Sequence, residues 1–265
     1  MKKIIFPLAL LAAVSLIFSS CNNQSDGGND NQNPVVEFEG FHYKVVALAA
    51  DSLSGDGPNG NLCEISGQGI LPKKIGSQDI TFLRDSLCRL AEIDYVDRKL
   101  VNPVLEEGLQ LTEKNPAETE SCGVKVNELS VDLVTPQLVV WKDYYYFYPC
   151  GAAHGGYNTT YVNYSILKGE ILKLEDIFKP GYQSELLPLI RRGIEEQNLS
   201  LLVDFEEIDI PSDFRITTHT IEFIYSLYEI APYSEGEIRV ELPRYEIDDL
   251  FAPGAEELLF GTNLD

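Results

Sequence analysis

The residues of this sequence that are suited to chemistry are few, and most of them sit in turns. His154 lies in the middle of Gly151-Ala152-Ala153-His154-Gly155-Gly156 and is one of three histidines in 265 residues. A histidine works as a general acid or base when a second group orients its ring and a pocket tunes its pKa. His154 with a nearby carboxylate would suit hydrolysis of a cell-wall polysaccharide. A quieter role for the same ring is to bond backbone groups and hold the turn. Tyr228, Glu229 and Tyr233 fall in a second turn, YEIAPYSEG, where rigid rings and a carboxylate can be displayed to a ligand. Tyr157, just past His154, completes the set of candidate ligand-binding residues.

The signatures that would specify a reaction are missing. There is no G-x-S-x-G nucleophile elbow, no H-E-x-x-H zinc motif and no C-x-x-C pair. Adjacent carboxylates such as Glu195-Glu196 and Asp248-Asp249 are what chance produces among 42 acidic residues. The loop DSLSGDGPNGN after residue 50 is rich in acids and asparagine but lacks EF-hand spacing. The expectation is therefore a binding protein without catalysis, metal or cofactor, with the hydrolase or an accessory subunit of a surface complex as the alternatives.

These turns must be positioned by strands. Residues 138 to 156, LVVWKDYYYFYPCGAAHGG, run an aromatic strand pattern into the histidine turn. Tyr144, Tyr145, Tyr146 and Tyr148 suit a core and sheet surface. Three glycines in six residues predict positive φ or the close approach of another group. Strands are also expected over 35–49, 62–71 and 122–133. Thr135-Pro136-Gln137 forms a turn that pairs residues whose numbers sum to 272, with a bulge between Val126 and Leu129. A helix capped by Ser77 or Asp79 runs to about Ala91 with Ile80, Leu83, Leu87 and Leu90 on one face, and a weaker one covers 101–114. Beyond the histidine turn come a hairpin around Lys168-Gly169 and a helix from about Ser184 with Leu187, Ile190 and Ile194 inward and Pro188 near its first turn. Strands FRITT, TIEFIYSL and EIRVELP follow. His42 and His219 read as structural residues in strand-like surroundings. The fold class is α+β, an antiparallel sheet with two or three packed helices.

The N-terminus reads as a signal. Lys2 and Lys3 precede an apolar stretch from Ile4 to Phe18, too short for a comfortable membrane span, and Ser19-Ser20-Cys21 follows. This resembles a lipoprotein signal over residues 1–20 with Cys21 as the lipidated residue. Residues 21–33 then form a polar tether with a reach of about 20 Å. Folded subdomains are expected over 34–156 and 157–265. Without Lys2 and Lys3 the chain has 18 basic against 42 acidic residues, a net charge of −24. Such a surface repels nucleic acid and anionic lipid and attracts cationic proteins. Cys63, Cys88, Cys122 and Cys150 remain after Cys21, an even number in an exported protein, which predicts two disulfides. The 272 register sets Cys122 opposite Cys150 and leaves Cys63 for Cys88.

The stretches YYYFYPCGAAHGG, NYSILKGEILKLEDIF and IEFIYSLYEIAPYSEGEIRVELPRYEIDDLF resemble the C-terminal extracellular domain of RsiV-type anti-sigma factors. Residues 36 to 150 resemble the domain that usually precedes it. The resemblance implies a receptor domain for lysozyme, also found beside peptidoglycan deacetylase domains without supplying their catalysis. The sequence carries neither a cytoplasmic sigma-binding segment nor a transmembrane helix, so signalling by that route is not expected. What carries over is binding: of lysozyme or another cationic protein, or of an envelope glycan, with membrane contact only through the lipid.

Overall fold

A computed structural model describes residues 34–48, 62–92, 112–113, 123–149 and 152–261. The signal, the tether with Cys21, the loop after residue 50, and Cys122 and Cys150 lie outside the described residues. Seven strands, β1 (Val36–Leu48), β2 (Leu62–Ile75), β3 (Thr112–Glu113), β4 (Gly123–Val134), β5 (Leu138–Pro149), β6 (Gly156–Ser165) and β7 (Glu170–Ile171), form one sheet in the order β3-β1-β2-β4-β5-β6-β7. A second sheet, β10-β9-β8, comprises β8 (Asp213–Ile216), β9 (Thr220–Tyr225) and β10 (Ile238–Pro243). The helices are α1 (Thr81–Leu90), α2 (Leu174–Ile177), α3 (Gln183–Glu195), α4 (Arg244–Ile247) and α5 (Ala255–Phe260). The class is α+β, as expected. The large sheet is mixed rather than antiparallel throughout, because β1 pairs with β3 and β2 with β4 in parallel. The connection from β2 to β4 carries α1 and returns the chain to the same end of the sheet, which a tight hairpin cannot do. The end of the helix expected over 101–114 is strand, since Thr112 and Glu113 form β3; residues 101–111 are outside the described set. Among the described residues no helix is long and apolar enough to cross a membrane.

The β4–β5 hairpin closes as its turn chemistry predicts. Thr135 Oγ1 accepts from the Gln137 and Leu138 N–H groups at 3.2 and 2.9 Å. Partners from Gly123↔Pro149 to Val131↔Trp141 keep the 272 register, and the bulge falls between Val131 and Leu133 rather than between Val126 and Leu129. The described ladder stops one residue short of Cys122 and Cys150. The backbone of Cys63 pairs with Gly123, its side chain lies outside the described set, and Cys88 is buried in the core.

Leu138, Val139, Val140 and Trp141 are all fully buried, because β5 is covered on both faces. Val139 and Trp141 join α1 and β2 in one core, and Leu138 joins the second sheet and α3 in the other. Val140 packs with Tyr161 and Ile224 between the sheets. A doubly covered strand reads as a continuous apolar run, as LVVW does. Trp141 Nε1 donates to the Ile70 carbonyl at 3.1 Å, which satisfies its polar tip inside the core. On α1, Leu83, Leu87 and Cys88 are buried, and Asp79 accepts from Thr81 N–H and Oγ at 3.0 and 2.7 Å. On α3 the buried stripe is Leu186, Ile190 and Ile194; Leu187 is only half buried. The helix starts at Gln183, so Pro188 lies beyond its first turn, on an exposed position where solvent can stand in for the N–H that proline lacks.

The large sheet continues through β6 to Ile171, and its junction with the second sheet is made at the outer edge of β6. Tyr161 N–H donates to Asp213 at 3.2 Å and Thr159 N–H to Glu237 at 2.5 Å. The buried Asn163 amide donates to the Phe214 carbonyl at 2.7 Å and accepts from Ile216 N–H at 2.9 Å. Arg215 grips Asp132 through two nitrogens at 2.7 and 3.1 Å, and Arg239 reaches Glu222 at 3.0 Å and Glu237 at 2.8 Å. Their guanidinium groups lie 5.5 and 5.7 Å from the Tyr161 ring centre.

Replacing Asn163 by Ala orphans a buried carbonyl and a buried N–H. Urea denaturation is expected to show a loss of about 2–4 kcal/mol, and a loss under about 0.5 kcal/mol would overturn this account of the junction. Asp143 on β5 is 3% exposed, and burial, with Glu92 adding to it, pushes its carboxyl up to about 7. Between the ordinary carboxylate value and pH 7 the native state holds a proton that the unfolded chain releases, so this group's contribution to stability falls as pH rises through that window. Asp143→Asn removes the loss. Relative to its effect at pH 4, it is expected to raise the unfolding free energy at pH 8 by about 2 kcal/mol or more. An effect equal at both pH values refutes the assignment.

Candidate ligand-binding site

The histidine turn is shaped by a tyrosine of the strand before it. A Cβ on Gly155 would come 2.5 Å from the Tyr146 hydroxyl and 2.7 Å from its ring, so the glycine answers a close approach rather than a positive φ. Tyr148 closes the turn by donating its hydroxyl to the Ala152 carbonyl at 2.8 Å. His154 is exposed, and its Nδ1 lies 2.9 Å from the Gly155 carbonyl, where an N–H donates. Its ring stacks on Tyr233 with centroids 4.2 Å apart and planes at 28°.

Tyr233 is the hub of a ring cluster. It opens the short 3-10 turn Tyr233–Glu235, meets Tyr157 edge-on at 6.4 Å and has Tyr228 at 5.9 Å. Tyr144 extends the cluster by stacking on Tyr157 at 6.1 Å. Gly236, at φ +75°, leaves room for Tyr157, whose hydroxyl would lie 3.1 Å from an added Cβ. Tyr228 has φ +65°, a left-handed conformation that costs a bulky residue free energy, yet the residue is 54% exposed. Here backbone strain accompanies the display of a ring.

Beside the rings opens a cleft of about 380 Å³ lined by Asn158, Thr160, Tyr161, Ser212, Asp213, Ile224, Ser226 and Glu229. Burial pushes the Asp213 carboxyl up to about 6; the Tyr161 N–H pulls it down, and the nearby Glu237 charge adds to the rise. Glu229 accepts the Ser226 N–H at 2.7 Å and so holds the turn that carries Tyr228.

His154, Tyr157, Tyr228 and Tyr233 thus come together, and Glu229 faces the adjoining cleft. The His154 ring meets a backbone carbonyl and Tyr233, and among the described residues it forms no acid–base dyad with a carboxylate. His42 is exposed on β1. His219 lies in the β8–β9 turn rather than in a strand, where its carbonyl accepts the Arg244 N–H. No cluster of three or more His, Cys, Asp or Glu able to hold a metal occurs among the described residues. Asp213, Asn158, Glu237 and Arg239 were not legible as site residues. Asp213 reads as a turn residue before FRITT, and Arg239 as the polar phase of a strand. Chemically the arrangement offers ring faces and hydrogen-bond acceptors with one carboxyl poised near neutrality.

Residues 175–245, from α2 to α4, match the model of a family described as a protein of unknown function, DUF3298. Two solved structures share the fold. A member of the DUF3298 family from Bacteroides fragilis is 18% identical, with a TM-score of 0.56 over 85% of this chain and 98% of that one. A DUF3298 family protein from Pseudomonas aeruginosa is 16% identical, with a TM-score of 0.59 over 83% of this chain and 96% of that one. No curated protein matches. The matched segment contains α3, the whole second sheet and the Tyr228–Tyr233 half of the ring cluster.

Because Tyr228 is strained and half exposed, Tyr228→Gly is expected to leave the protein as stable as before or more stable by up to about 1 kcal/mol. Thermal unfolding checks this, and a drop of several degrees would mean that the ring is there for packing.

Proposed function

We propose that this is a binding protein of the bacterial cell envelope without catalysis, lipid-anchored through Cys21, that engages lysozyme through the ring cluster and cleft. The observation that carries the reading is the convergence on Tyr233. The two motifs most specific to the RsiV-type resemblance, the aromatic strand with its histidine turn and YEIAPYSEG, lie far apart in the chain and place His154, Tyr157, Tyr228 and Tyr233 in one ring cluster. Displayed tyrosines beside a carboxylate-lined cleft suit a cationic protein surface. The net charge of −24 without Lys2 and Lys3 would steer such a partner in from solution. Two disulfides belong to the same reading of an exported chain, and the 272 register of the β4–β5 ladder supports Cys122 with Cys150.

A second reading, a cell-wall polysaccharide hydrolase, is favoured by one observation: the Asp213 carboxyl, raised to about 6, lies in a cleft. In that case Asp213 rather than His154 would be the proton donor.

Calorimetry of residues 22–265 against c-type and g-type lysozymes, with an equally cationic unrelated protein as control, tests the first reading. Saturable binding that survives physiological salt, is absent with the control and weakens about tenfold or more in Tyr233→Ala is the expected result. Binding equal to the control would reduce it to charge attraction. Release of reducing ends from peptidoglycan, lost in Asp213→Asn, would establish the hydrolase.

A further inference from the structure

We propose that the cleft bounded by Asn158, Asp213 and Glu229 is an arginine pocket, taking one guanidinium side chain of a protein partner whose flat face lies against Tyr228. This deepens the reading of the ring cluster as a ligand-binding surface and rests on it. The argument starts from the inventory of the walls. Among the described residues no Lys, Arg or His lines the cleft, while two carboxylates and an amide do. Oδ1 of Asn158 is buried and has no hydrogen-bond partner among the described residues, its amide nitrogen being committed to Thr160 Oγ1 at 3.0 Å. A buried acceptor without a donor costs free energy that an incoming donor would recover.

The nearest fixed cations are already engaged. Arg215 and Arg239 face Asp132, Glu222 and Glu237, three carboxylates against two guanidiniums, before Asp213 and Glu229 are counted. The nearby backbone donors are engaged as well: Tyr161 N–H points to Asp213, Thr159 N–H to Glu237 and Ser226 N–H to Glu229. An anion entering here would meet only like charge. A sugar could bond the hydroxyls of Thr160, Tyr161, Ser212 and Ser226, but it would leave the two wall carboxylates without a counter-charge.

A guanidinium matches this inventory because it brings five N–H donors, no acceptor and a planar face that stacks on aromatic rings. The protein makes the same arrangement internally, with Arg215 and Arg239 packed against Tyr161 while paired to carboxylates. The pocket would repeat it with a ring, Tyr228, that is held out to solvent.

The test is a titration of the isotope-labelled chain, residues 22–265, with N-acetyl-arginine amide followed by backbone amide shifts. N-acetyl-lysine amide and N-acetylglucosamine serve as comparison probes. The expected result is a saturable shift of the amides of Asn158, Ser212, Asp213 and Glu229. Lysine amide should bind about fivefold or more weakly, and the arginine response should weaken by at least about fivefold in both Asp213→Asn and Glu229→Gln. Glu229→Gln keeps an acceptor for Ser226, so it answers the question even where Asp213→Asn disturbs the Tyr161 contact. Shifts at these amides with N-acetylglucosamine but not arginine would overturn the pocket, as would an arginine response unchanged in Glu229→Gln. Lysozyme binding by a chain that ignores the arginine probe would refute the pocket and leave the proposed function standing. A specific arginine response without lysozyme binding would do the reverse.

Discussion

The edge of β6 is the constraint on which the rest of this structure depends. An unpaired strand edge exposes N–H and C=O groups that must find partners or remain in water. Here Asp213 and Glu237 accept the β6 N–H groups through their side chains, and Asn163 of β6 in turn bonds the backbone edge of β8 at Phe214 and Ile216, so the second sheet docks on the first without extending its ladder. Side-chain capping separates the two sheets enough to admit a layer of charge between them. That layer holds Arg215, Glu222 and Arg239 around Tyr161, together with the apolar contact of Val140 with Ile224.

The same junction creates the cleft. Carboxylates used to cap a strand edge are fixed and partly desolvated, and Asp213 shows the consequence in its raised pKa. Its neighbour in space, Glu229, is tied to the turn that holds Tyr228 in a left-handed conformation. Ring display, acidic lining and sheet docking are therefore one arrangement. A change at the β6 edge acts on the cleft, and the Tyr228 turn is itself tied to the core by Ile230 and Ala231.

Much of the fold was legible because it is local. The LVVW run, the Thr135 turn and the alternation of Ile238, Val240 and Leu242 each report a period or a turn chemistry within a dozen residues. Even the β4–β5 register followed from the position of Pro136, although the bulge did not, since Val131 and Leu133 are both apolar and conceal the slip. Leu186 and Leu187 are adjacent and equally apolar, so only packing against β10 could decide which turned inward. Four of the five candidate ligand residues lie in the ring cluster and Glu229 faces the cleft. Turns that carry aromatic residues on short, glycine-bounded segments have few reasons to do so other than display.

By itself the sequence determined most of the strands, the helices α1 and α3, the acidic surface and the residues of the two aromatic turns. These depend on hydrophobic period, turn propensity and composition, all of which are properties of neighbouring residues. Only the tertiary structure decided the parallel pairing of β2 with β4, the capping of β6 by Asp213 and Glu237 and of β8 by Asn163, and the meeting of residues 154–161 with 213 and 226–237. Those features depend on which groups remain unsatisfied after each element has formed, and that is settled between segments far apart in the chain, where local pattern carries no signal.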